Sequence, residues 1–354
     1  MSIGILKNAV SISVSLPKNN ERRSHILKTV YLVVPCYNEE EVLPETAKRL
    51  NRKMKTLKRD GIITEDSRVV FVDDGSKDRT WKIISKLHQK LPQMFDGVKL
   101  SRNEGHQNAL YAGLMQVKDH CDAAISLDAD LQDDIEAIDE MIQYFEEGTD
   151  IVYGVRSQRD TDTFFKRTTA RSFYKLMKRM GVEMVEDHAD YRLMSRRALE
   201  GLSEFREVNL FLRGMVPMIG YPTAEVYYER GERFAGESKY PLRKMISFAA
   251  QGITSLSVKP IRLITSIGIG IFFTSFLILL YSLIRHITGH TVAGWTSTVF
   301  SIWAIGGLQL LAIGIIGEYI GKIYLETKAR PKYLIESWLH DEAEEPETDE
   351  PEES

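Results

Sequence analysis

Residues 29–35 read Thr29-Val30-Tyr31-Leu32-Val33-Val34-Pro35, a short β-branched run that stops at a proline. The composition predicts a buried strand. Outward from it, residues 40–58 have helical composition, and 68–72 form a second strand that ends at Asp73-Asp74-Gly75-Ser76. Residues 80–90 read helical, 97–100 as a short third strand, and 107–118 as a helix. Residues 123–127 are another strand, ending at Asp128-Ala129-Asp130, and an acidic helix follows over 135–146. Residues 150–154 open a fifth strand. This alternation predicts an α/β sandwich with a largely parallel sheet. Ligands of such sheets sit at the carboxyl ends of the strands. The polar stretches 35–39, 73–76 and 128–130 all fall there.

The chain has 354 residues, 43% hydrophobic and 27% charged, with a net charge of −4. Its mean hydropathy of −0.22 resembles that of a soluble protein. That average hides two uncharged runs, 22 residues over 263–284 and 27 residues over 291–317. A helix needs about 20 apolar residues to cross the hydrocarbon layer. Two membrane helices are therefore expected, at 263–284 and 295–317, joined as a hairpin. Both lie near the C-terminal end, so neither reads as a signal peptide. Lys239, Arg243, Lys244, Lys259 and Arg262 precede the first run, Lys322, Lys328, Arg330 and Lys332 follow the second, and the link holds Arg285. The bias puts both termini and the charged N-terminal portion in the cytoplasm. Within 236–262, Leu242, Met245, Ile246, Ala249, Ile253 and Leu256 make a helical apolar stripe, which lies in the membrane interface or packs on the domain. Glu318, Lys322 and Glu326 recur at helical spacing where the second run ends, an interfacial polar stripe or a helix-pairing face.

Residues 341–354 hold nine acids and no base, and without them the net charge becomes +5. That run is expected to be a disordered tail. The basic remainder suits anionic membrane or phosphate ligands and is too weak for nucleic acid. Two cysteines, Cys36 and Cys121, exclude a disulfide scaffold and lack zinc-site spacing. The expected organisation is an arm over 1–28, an α/β domain over 29–235, the juxtamembrane stretch 236–262, the two spans, a cytoplasmic segment 318–340 and the tail.

The motifs carry a resemblance. Val33-Val34-Pro35-Cys36-Tyr37-Asn38-Glu39-Glu40, Val72-Asp73-Asp74-Gly75-Ser76-Lys77-Asp78-Arg79-Thr80, Ser101-Arg102-Asn103-Glu104-Gly105 and Asp128-Ala129-Asp130-Leu131-Gln132-Asp133 stand in order and at usual spacing. Together they resemble family 2 glycosyltransferases. Through Tyr153-Gly154-Val155-Arg156, Tyr191-Arg192-Leu193-Met194-Ser195 and 233–240, the chain is similar to bacterial polyprenyl-phosphate glycosyltransferases and, more distantly, to dolichyl-phosphate mannose synthase. The resemblance implies a GT-A type nucleotide-binding sandwich. The implied reaction is inverting transfer of a hexose from a nucleotide sugar, UDP-glucose or a similar UDP-hexose, to undecaprenyl phosphate at the cytoplasmic face of a bacterial inner membrane. It further implies a homo-oligomer, tetrameric among relatives, with a flippase and a downstream glycosyltransferase as onward partners in envelope glycan modification.

A divalent cation that neutralises a departing diphosphate lowers the barrier. Asp128 and Asp130, two apart at a strand end, offer oxygens suited to Mg²⁺ or Mn²⁺, although aspartates also build turns and caps. By family analogy Gln132 is a third ligand, Asp74 meets the uracil ring, and Pro35, Tyr37 and Glu39 contact the nucleoside. Asp73 and Asp78 serve the ligand or build the turn and cap. Asp190 is the catalytic-base candidate by the same analogy, with Asp187 behind it. His188-Ala189-Asp190-Tyr191-Arg192 departs from the family's Gly-Asp-Phe-Arg. A phosphate monoester is already largely ionised near neutrality, its second pKa being ~6, so Asp190, if it is not a base, orients the acceptor, stabilises the sugar ring or makes structural hydrogen bonds. Arg156, Lys166, Arg167 and Arg171, then Arg233 and Lys239, are cations for phosphate or solvated surface charge. The resemblance favours Arg156 and Arg167 for the acceptor, with Arg233 and Lys239 also reaching the donor diphosphate. The competing functions are a processive polysaccharide synthase, which needs more spans and a Gln-x-x-Arg-Trp motif, and a non-catalytic membrane adaptor.

Overall fold

The structure is a computed structural model and describes residues 27–130, 132–157, 180, 188–229, 253–255, 257–288 and 294–341. Residues 1–26 of the arm, Lys166, Arg167, Arg171, Asp187, Arg233, Lys239, most of 236–262 and the acidic run past 341 lie outside the described residues.

Strand β1, Val30–Cys36, is buried at every position, as a central strand covered on both faces must be. Its even residues Val30, Leu32 and Val34 join one apolar layer, and Tyr31 and Val33 join the other. Helix α1, Leu43–Arg59, packs on the first layer through Leu43, Ala47, Leu50, Met54 and Leu57, spaced alternately by four and three residues. Removing one such side chain, as in Leu50→Ala, costs about 2–5 kcal/mol. Strand β2, Val69–Asp73, and β3, Phe95–Leu100, flank helix α2, Thr80–Lys90. Helix α3, His106–Val117, covers the second layer. Gly113 is needed there, because a Cβ would meet Val72 and Val33 side chains at 2.5 and 2.6 Å. Strand β4, Ala123–Ser126, helix α4, Ala137–Glu146, and β5, Ile151–Arg156, complete the part that the sequence outlines.

Three further strands are not marked by the sequence pattern. They are β6, His188–Ser195, β7, Thr223–Tyr228, and β8, Ile335–Leu339. Helix α5, Arg196–Ser203, and α6, Leu212–Met218, stand between β6 and β7. The strand order is β7-β5-β6-β4-β1-β2-β3-β8. Pairs β1–β2, β1–β4, β2–β3 and β5–β7 are parallel. Strand β6 runs antiparallel to β4 and β5, and β8 antiparallel to β3. The largely parallel sheet expected from the alternation is thus a mixed one. The segment 318–340 also differs from a plain juxtamembrane stretch, because its end supplies the edge strand β8.

Helices α7, Lys259–Ile287, and α8, Trp295–Lys328, cover residues 263–284 and 295–317 and touch each other. Among the described residues, Ile305–Lys328 is the one helical stretch marked by length and composition as able to cross a membrane. It begins ten residues after the start of the expected second span and ends eleven residues beyond its end. One qualifying stretch does not show the expected two-helix transmembrane hairpin.

Candidate active site

The loop after β1 and the loop after β2 are tied together by backbone donors. Asn38 N–H donates to Ser76 Oγ at 2.9 Å, and Lys77 N–H to Asn38 Oδ1 at 2.9 Å. Glu39 N–H donates to Thr80 Oγ1 at 2.9 Å and Glu40 N–H to Asp78 Oδ2 at 3.1 Å. Asp78 Oδ1 accepts from Thr80 N–H at 2.9 Å, and Asp73 Oδ1 from Ser76 N–H at 3.3 Å. Both carboxylates therefore build the turn and start α2. Gly75 has φ +63°, and a Cβ there would lie 2.5 Å from the Arg102 carbonyl carbon, so only glycine lets the 101–105 loop come this close. Asp74 holds that loop: its carboxylate accepts from the amides of Glu104 at 2.7 Å and Gly105 at 3.0 Å. Burial raises its pKa, and those amides pull it back.

These loops wall a cleft of about 710 Å³ at the carboxyl ends of β1, β2 and β4. Pro35, Tyr37, Glu39 and Asp74 line it. Asp128, Asp130, Asp190, His106 and Arg213 line the same cleft. The volume falls in the range of small-molecule sites.

Asp190 sits on β6 with 8% exposure and is surrounded by cations. Arg192 Nη2 donates to Oδ1 at 2.7 Å, and Arg213 donates through Nε at 3.3 Å and Nη2 at 3.2 Å. His106 Nε2 lies 3.4 Å from Asp190 Oδ2 and 3.5 Å from Asp128 Oδ1. Ser126 Oγ donates to the Asp190 carbonyl and fixes the backbone. Burial alone would raise the Asp190 pKa, but His106, Arg213 and Arg192 prevail and hold it well below the usual carboxylate value. His106 is raised on balance: desolvation opposes its charge, and Asp190 and Asp128 overcome that. Arg192 is 1% exposed, and its Nε and Nη1 have no hydrogen-bond partner among the described residues.

Asp128 is pushed up to about 6 by burial, with His106 pulling it down and Asp133, Asp190 and Asp130 adding repulsion. Such a surplus of carboxylates fits a cation. Among the described residues no group of three His, Cys, Asp or Glu side chains is gathered to hold a metal. Two carboxylates completed by substrate phosphate oxygens is the usual form of a Mg²⁺ site, and Asp128 with Asp130 fits that form. Gln132 is not on the cleft lining, and its N–H donates to Asp130 Oδ1 at 3.1 Å. Arg156 is also off the lining: its guanidinium reaches Asp133 and Tyr228, both at 3.3 Å. The sequence reading missed His106 and Arg213. His106 directly follows the Ser101–Gly105 motif and opens α3, a position that offered a signal. Arg213 is on α6, away from every motif, and no local pattern marks it.

The family described as Glycosyl transferase family 2 matches residues 31–203. An uncharacterized glycosyltransferase of Bacillus subtilis is 54% identical over 88% of this chain and 92% of its own. The bactoprenol glucosyl transferase of Shigella phage SfX is 43% identical over 87% of this chain and 99% of its own. Among solved structures, mannosyl-3-phosphoglycerate synthase from Rubrobacter xylanophilus aligns with 63% of this chain and 71% of that one. Its identity of 15% and TM-score of 0.44 are too low to carry weight. The relatives extend over nearly the whole chain and not the α/β core alone, and on that likeness the chain belongs to glycosyl transferase family 2.

Proposed function

We propose that the cleft transfers a hexose, glucose in the first instance, from a UDP-sugar to a polyprenyl phosphate, with a GT-A type sandwich as the scaffold. One observation carries the reading: Pro35, Tyr37, Glu39 and Asp74 share one cleft with Asp128, Asp130 and the clamped Asp190. The bactoprenol glucosyl transferase relative supports the acceptor and the sugar. An acceptor phosphate oxygen attacks the sugar's anomeric carbon, the bond to the donor phosphate breaks, and UDP leaves. Asp128 and Asp130 would hold Mg²⁺ or Mn²⁺, which offsets the negative charge growing on the departing diphosphate.

The ionised acceptor carries no proton that must be removed. Asp190, held far below neutrality, has low proton affinity and is a poor base. Its work in this reading is to aim Arg213, whose positive charge would meet the phosphates in the cleft, and to hold His106 beside it. Arg156, Arg167, Arg233 and Lys239 remain proposed phosphate contacts. For Arg156, a move away from Asp133 would be required. Helices α7 and α8 are proposed as the membrane hairpin, with both chain ends cytoplasmic. Exposed apolar side chains on each, among them Ile267, Phe273, Leu277, Leu310 and Ile313, support a lipid environment.

The test is incubation of the purified full-length protein with undecaprenyl phosphate, Mg²⁺ and a panel of nucleotide sugars, with lipid products identified by mass. Undecaprenyl-phosphate hexose from a UDP-hexose is expected. A panel that yields free sugar and no lipid product contradicts the proposal.

A further inference from the structure

The polar stripe at the end of α8 touches the α/β core at a defined place. Glu326 Oε2 accepts from Val208 N–H at 2.7 Å, and Oε1 accepts from Asn209 N–H at 2.9 Å and Asn209 Nδ2 at 2.8 Å. Lys332 Nζ donates to the Phe205 carbonyl at 2.9 Å and lies 4.4 Å from the Tyr111 ring centroid. The strap 205–211 is thereby pinned to the helix that leaves the apolar run. At its other end the strap enters α6, and there the partners belong to the cleft. Leu212 N–H donates to Gln107 Oε1 at 2.9 Å, next to His106, and Arg213 grips Asp190.

Leu210, Phe211 and Leu212, the three residues between the pin and Arg213, are each 5% exposed or less. A buried connector this short does not absorb displacement as a loose loop does. We infer that Glu326 is a positioning residue: by fixing Val208 and Asn209 it sets where Arg213 meets Asp190, so the end of α8 tunes the cleft. The inference rests on the reading of that cleft as the transfer site.

The experiment is hydrogen exchange across 204–218 in the full-length protein in lipid nanodiscs, together with steady-state transfer. Glu326→Ala is expected to speed exchange at 208–209 and also through α6 by about tenfold or more. It should lower kcat about tenfold while the donor KM stays within about twofold, because the residues proposed to contact the nucleoside are untouched. Glu326→Gln keeps one acceptor oxygen and should fall between; it carries the test if the alanine variant does not fold. In an Arg213→Ala background, Glu326→Ala should cost less than about a further twofold. Faster exchange confined to 208–209, rate losses that multiply independently, or full turnover in Arg213→Ala would overturn the coupling. The exchange arm needs no turnover, so a wild type that transfers nothing would sink the transferase reading while the coupling is still measured.

Discussion

Asp190 and Arg192 lie two apart on one strand, yet their carboxylate and guanidinium meet at 2.7 Å, and Arg213 arrives from a different element. Replacing Asp190 by asparagine keeps volume and one acceptor but leaves the buried Arg192 without its counter-charge. We expect Asp190→Asn to destabilise the fold at pH 7 by about 3–5 kcal/mol, the usual cost of breaking a buried ion pair. The isosteric exchange is thus less benign than asparagine's size alone suggests. The sign with pH follows from the depressed pKa. The carboxylate's contribution is present above the ordinary aspartate value and is lost as pH falls through the lower folded value, so wild type and variant converge in acid. Thermal unfolding at pH 7 and in acid checks this. In transfer assays below the variant's unfolding temperature, the rate should fall at every pH while the profile keeps its shape; a flattened rising limb would make Asp190 a base after all. Asp190 was legible through its motif. Its partner Arg213 was not, because the contact between residues 190 and 213 exists only after the chain folds.

At the scale of elements, the strands that alternate with helices were legible because each is a short apolar run bounded by polar turns. Strand β6 was not, since Asp190 and Arg192 sit among its residues and their burial is satisfied by site partners that no composition reveals. Strand β8 was hidden for another reason: it is a five-residue edge strand that follows a long apolar helix and covers β3 from far along the chain. Its hold includes His340 Nδ1 at 2.7 Å from Asp96, a fully buried carboxylate that also takes Arg68 at 3.1 Å. A chain cut after residue 334 should therefore lose Tm by roughly 5 °C or more and aggregate through the uncovered β3 edge. A chain cut after 341 should melt like wild type. Thermal unfolding and light scattering of the two truncations decide the point, and equal melting of both against wild type would remove β8 from the account.

For the whole molecule, the two uncharged runs were legible as helices, but the end of the second was not. The uncharged run stops before Glu318, whereas α8 continues to Lys328, with the heads of Lys322 and Glu326 bonded to Thr254, Ser255, Val208 and Asn209. Reporters fused after Ser354 and before Met1 should both read cytoplasmic, and one inserted near Gly289 should read the opposite side. A cytoplasmic reading at Gly289 would make the pair re-entrant. The most direct measurement of the central claim is transfer of labelled glucose from UDP-glucose to undecaprenyl phosphate by the purified full-length protein, with Asp130→Asn and a chelated wild type beside it. The account predicts a lipid-linked hexose from wild type with Mg²⁺ and a loss of about a hundredfold or more both in the variant and under excess chelator. Undiminished product in either would contradict it.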